Sequence, residues 1–201
     1  EENIMPLGAN KAAIMGVAGV STGDVVLLSS QTASGDSELD FTGLMTSTYG
    51  EYIFKFYNIN PATDDVEFQF QVNATDGADY NDSAITSTSF YADHREDDGG
   101  SPTVAYTGAF DQAQGTAFQT IMWEIGNGAD EGSAGELHIF NPASTTYVKH
   151  FTAHANEYYT GNASIEVFTA GYINDTTAVD DIRFKMSSGD FDGKIKMWGV
   201  K

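Results

Sequence analysis

Val66-Glu67-Phe68-Gln69-Phe70-Gln71-Val72 alternates strictly between apolar and polar side chains. A period of two sends successive side chains to opposite faces of an extended chain, so the stretch predicts a strand with one apolar and one wet face. The pattern recurs on both sides. Tyr52, Phe54 and Phe56 alternate with Glu51 and Lys55; Ile182, Phe184 and Met186 alternate with Asp181, Arg183 and Lys185. Ile195 and Met197 alternate with Lys194 and Lys196. Phe54, Phe56, Phe68, Phe70, Ile182, Phe184 and Met186 are therefore expected to face a core.

Further strands are expected over 25–30, 85–91, 103–106, 119–125, 136–140, 147–155 and 164–172. No stretch keeps helical spacing over three turns, and residues 109–117 allow one short helical turn at most. About a dozen short strands broken by turn residues predict an all-β fold, an antiparallel two-sheet β-sandwich of jelly-roll type over residues 24–201. Asp76-Gly77, Asn127-Gly128 and Asp192-Gly193 read as tight hairpin turns, because both residues of each pair tolerate positive φ. Asn141-Pro142-Ala143-Ser144 reads as a hairpin loop in which Pro142 needs no ladder N–H. The run Asp93 to Asp98 reads as an exposed acidic loop.

The chain of 201 residues carries 29 acids against nine bases, a net charge of −20, which excludes a phosphate-neutralising nucleic-acid binder. Thirteen Phe and ten Tyr exclude disorder as a description of the whole, and the lack of Cys excludes disulfide and thiol chemistry. No window approaches 18 consecutive apolar residues, so no membrane-spanning helix and no membrane partner are expected. Residues 12–20 have the outline of a signal-peptide core, but Glu1 and Glu2 stand where basic residues belong. Residues 1–23 are read instead as an extended N-terminal arm whose Ile4, Met5, Leu7, Ile14, Met15, Val17 and Val20 seek cover outside their own core.

Candidate chemistry is sparse. No nucleophile elbow, phosphate-cradling loop or thiol is present, and no pair of carboxylates stands out for glycoside hydrolysis, so no catalytic residue is expected. His138 and His150 lie on two strands joined by one loop, but two ligands do not make a zinc site. Asp76, Asp79 and Asp82 cluster in one turn without the spacing of an EF-hand; a structural calcium is the one cofactor they, or the Asp93–Asp98 run, would admit. Trp123, Trp198, Tyr158 and Tyr159 suit either a core or a sugar-stacking surface. Residues 181–201 hold five bases against three acids on an otherwise anionic chain. Lys194 and Lys196 in this stripe either pair with neighbouring strands or meet the acidic face of an adjacent subunit.

Several motifs taken together resemble a family of small β-sandwich structural proteins and fibre-type domains from tailed phages of marine bacteria. They are Ser30-Gln31-Thr32-Ala33-Ser34, Glu51-Tyr52-Ile53-Phe54, Asn58-Ile59-Asn60-Pro61-Ala62-Thr63 and the run Phe140 to Phe151. Ala170-Gly171-Tyr172 and the ending Ile182 to Val200 complete the set; Tyr is commoner in the family where Trp198 stands, and the ending resembles the family's closing hairpin. The resemblance implies a non-enzymatic virion component on the particle surface, in a tail fibre or as capsid decoration. It further implies contact with other virion proteins, a homo-oligomer with a trimer the first expectation, and a host surface glycan as a further partner. A secreted, lectin-like carbohydrate-binding sandwich is the rival reading.

Overall fold

The computed structural model describes residues 24–75 and 79–201. Its strands are β1 (Val25–Asp36), β2 (Glu38–Phe41), β3 (Glu51–Pro61), β4 (Val66–Ala74), β5 (Ile85–Arg95), β6 (Thr103–Tyr106) and β7 (Ala113–Gly115). They continue with β8 (Gln119–Ile125), β9 (Ser133–Phe140), β10 (Lys149–Tyr159), β11 (Ala163–Ile173), β12 (Val179–Met186) and β13 (Phe191–Val200). A single 3₁₀ turn at Gly108–Phe110 is the only helical element among the described residues.

All pairings are antiparallel, and the strands form one sheet that nearly closes on itself. One run follows the order β1-β13-β3-β9, and another follows β2-β12-β4-β8. Beyond β9 the first run continues through β10, β11 and β5 to β6 and β7. The two runs meet where Tyr159 on β10 pairs with Ile125 on β8. At the opposite side β1 is an edge, paired with β13 alone. Its start lies against the end of β13: Val25 faces Val200, and the Lys201 N–H donates to the Asp24 carbonyl at 2.9 Å.

Alternation decides what the sheet encloses. Phe54, Phe56, Phe68, Phe70, Ile182, Phe184 and Met186, the set expected to face the core, are all buried. Phe184 sits at the centre, with ring centroids 5.3 Å from Phe54 and Phe56, 5.9 Å from Phe68, 6.1 Å from Phe41 and 6.5 Å from Phe70. Phe54 and Phe56 belong to the first run and the others to the second, so these contacts join the two runs. Edge-to-face rings at such distances add to their area burial.

Local expectations are corrected in four places. Residues 182–200 do not form a hairpin, because β12 lies between β2 and β4 while β13 lies between β1 and β3. Their apolar faces look at each other across the core instead of sharing a ladder. Asn127-Gly128 and Asp192-Gly193 are not tight hairpin turns either: the first lies between strands of different runs, and the second is a register shift inside β13. The acidic run is only half a loop, since Asp93, His94 and Arg95 extend β5 by pairing with Ile165, Ser164 and Ala163. Finally Gln71, read as solvent-facing, is fully buried; its amide donates to the carbonyls of Ser83, Thr116 and Ala117 from segments that cover the outer face of β4.

Replacing Phe184 by Ala should cost about 3–5 kcal/mol in chemical denaturation, because five neighbouring rings lose contact at once. A loss below about 1 kcal/mol would mean that the two runs are held together elsewhere.

Candidate functional site

A groove of about 880 Å³ lies at one end of the β9–β10 hairpin. Three segments remote in sequence build it. The loop after β9 contributes Asn141, Ser144 and Tyr147, the segment before β3 contributes Ser47 and Tyr49, and Thr176 closes it with His150 at the start of β10. The expected hairpin loop at Asn141-Pro142 is therefore present and forms a wall.

Hydrogen bonds fix this loop from within. Asn141 takes a left-handed φ of 47° and its N–H donates to the Gly50 carbonyl at 2.7 Å. The Ser144 hydroxyl accepts from the N–H groups of Thr146 and Tyr147 at 3.2 and 3.1 Å. The Val179 N–H donates to the Pro142 carbonyl at 2.9 Å and ties the loop to β12. Tyr49 lies across Gly199, where an added Cβ would come within 2.5 Å of the ring. Only glycine at position 199 leaves that space. The opposite wall hangs on Lys149, whose ammonium is fully buried and donates to the carbonyls of Asp175 and Thr177 on either side of Thr176. Burial lowers the Lys149 pKa from its usual range.

Asp79 and Asp82 are exposed turn residues, with Asp79 accepting the Asn81 N–H at 3.3 Å, and Asp76 lies outside the described residues. Among the described residues no three His, Asp or Glu side chains converge as metal ligands. His138 and His150 are not opposite each other, since His138 pairs with Thr152 in the ladder. His138 is instead held between Glu51 at 2.5 Å and Glu136 at 3.3 Å. His154 meets Glu166 at 2.6 Å and stacks on Phe168 at 4.4 Å.

The basic stripe divides. Arg183 clamps Asp40 with two hydrogen bonds of 2.7 and 2.6 Å, reaches Glu38 at 2.9 Å and covers the Tyr80 ring. Lys185 lies over Phe118. Lys194 and Lys196 form no ion pair among the described residues: Thr32 and Tyr57 flank Lys194, while Ser30 and the like-charged Lys55 flank Lys196. Lys196 rests over Tyr57. Ile4, Met5, Leu7, Ile14, Met15, Val17 and Val20 lie outside the described residues.

Sequence reasoning passed over two buried charges, Lys149 and Glu157. The signal was available, because both share the inward parity of Phe151, Ala153 and Ala155 on β10. Glu157 accepts the Trp123 N–H at 2.8 Å, beside the one place where β8 and β10 meet. Its other oxygen has no partner among the described residues. Burial, reinforced by the charge of Glu124, pushes its carboxyl well above the usual range.

Compared with family models and with curated proteins, the chain matches none.

Glu157 sets a pH dependence. The unfolded chain releases this proton near the ordinary value of 4.5, whereas the folded chain retains it. Folding therefore binds a proton above that pH, and stability drains as pH rises toward the folded value. Glu157→Gln keeps an acceptor for Trp123 without the proton. It should melt higher than the parent at about pH 8, with the difference vanishing near pH 4. An equal difference at both pH values in thermal denaturation would remove Glu157 as the cause.

Proposed function

We propose that the protein is a non-enzymatic structural component of a virion, of the kind found in tailed phages of marine bacteria, exposed on the particle surface as a tail or fibre component or capsid decoration. In this reading it assembles as a homo-oligomer, first of all a trimer, through residues 1–23. The observation that carries the reading is β1. It is an edge of the sheet, bridged to β2 by the Gln31 amide that donates to the Asp40 carbonyl at 2.7 Å; it directly follows the apolar residues 1–23 in sequence, and it exposes Val25 at 58% and Leu27 at 52%. A register shift after Leu27 turns Leu28 toward the core and leaves Val25 and Leu27 outside. An unpaired edge with exposed apolar side chains is a template for a further chain.

Beside it, Lys194 and Lys196 stand without acidic partners among the described residues, on a chain of net charge −20. An acidic neighbour of the same kind complements them. The overall negative charge favours solubility, and the ionic strength of seawater screens the repulsion between copies. The strand orders 1-13-3-9 and 2-12-4-8 support reading the sandwich as a jelly roll, with β5–β7 and β10–β11 as insertions. In that topology an eight-strand chain winds so that first and last strands neighbour each other.

Light scattering on the intact chain should give an oligomer mass, and removal of residues 1–20 should give a folded monomer with little change in melting temperature. Leu27→Asp should weaken the assembly in the same way. An intact chain that stays monomeric at high concentration, with a truncated form that melts far lower, would assign residues 1–23 to their own core.

A further inference from the structure

We infer that the groove between Tyr49, Tyr147 and His150 is a binding site for a neutral saccharide. The inference stands apart from the assembly edge, because β1 does not line the groove.

The lining names the chemistry. A chain with 29 acids and nine bases places no Asp, Glu, Lys or Arg along this surface. Without a Lys or Arg the groove has no fixed cation to hold a phosphate or a uronic acid, and the field of the whole chain repels both. Without a carboxylate it has no ion-pair partner for a metal or an amine. What it offers for hydrogen bonding is the Asn141 amide, the His150 imidazole and the hydroxyls of Ser47 and Thr176. None of these side-chain groups has a hydrogen-bond partner among the described residues.

An apolar segment laid here would bury those groups unsatisfied, at a cost for each. A sugar satisfies them with its hydroxyls and turns its C–H face to an aromatic ring. Two rings are placed for that. Tyr147 stands at the rim, 74% exposed and without a ring partner among the described residues. Tyr49 forms the floor, held edge-on by Tyr52 at 5.9 Å and by the bare backbone of Gly199.

The walls are also formed before any ligand arrives. The hydrogen bonds of Asn141, Ser144 and Val179 set one side, and the buried Lys149 sets the other. A preformed site loses less freedom on binding than a loop that must order itself. A small polar ligand with few contacts depends on that saving.

The test uses the intact chain on an array of immobilised neutral oligosaccharides built from hexoses and N-acetylhexosamines. Sialylated and uronic-acid glycans on the same array, and adenosine in solution, are the controls. Hits are followed by calorimetric titration. The expected result is retention on neutral glycans only. Tyr147→Ala should weaken binding at least about tenfold, and Asn141→Gly, which keeps the left-handed backbone but removes the amide, should do the same. Melting temperatures of both variants should match the parent. Lack of retention on every neutral glycan, preference for acidic glycans or adenosine, or binding that both variants leave intact would each overturn the inference. Loss of oligomerisation on removing residues 1–20 should leave the calorimetric affinity unchanged, so this site and the assembly reading fail separately.

Discussion

The structure depends on one packing contact, the insertion of Phe184 among the inward rings of the two strand runs of one nearly closed sheet. Phe41, Phe68 and Phe70 flank it within its own run, and Phe54 and Phe56 come from the other. Each run alone would expose a row of large rings to water. Facing them removes both rows together, so neither run is a stable unit without the other. That constraint also fits the crossing between runs after β3, where the inward rings of Phe54 and Phe56 come to face those of Phe68 and Phe70 on β4 instead of pairing with them.

The extension through β10, β11 and β5 obeys a different rule. Its inner side mixes the apolar Phe151, Ile165, Val167 and Ile173 with Ala153, Ala155 and the polar Thr169 and Ser89, the last two joined by a hydroxyl–hydroxyl bond of 3.0 Å. It also places polar groups where a ladder is incomplete. Glu157 meets a strand N–H where β8 and β10 barely pair, and Lys149 gathers carbonyls that no strand reaches. Burial at both positions favours the uncharged form of each side chain, in opposition to the backbone hydrogen bonds it makes.

Much of this was legible in the residues. Period-two alternation located most of the strands and the inward set, because side-chain parity is a local property, but it missed the short β2 and β7. Pairing is not local. Ile182-x-Phe184 and Ile195-x-Met197 read the same whether their strands share a ladder or face each other across a core, and the hairpin reading failed for that reason. Gln71 failed similarly: parity put it outside the core, but segments from 83 and 116–117 fold over it. The groove had no local signature at all, since residues near 49, 147 and 176 meet only after the fold closes. Its one visible hint was a tyrosine in an otherwise small, polar loop.

The neighbouring first and last strands carry a mechanical consequence. β1 and β13 run antiparallel with Val25 beside Val200, so chain leaving the domain at either end departs from the same pole. Tension between those two ends would open the pair one hydrogen bond at a time, beginning at Lys201 and Asp24, instead of loading the whole ladder in shear. Tension between the leading end and a ligand held in the groove would load the same pole, because Gly50 and Phe140, which line it, lie beside Val200 in the ladder.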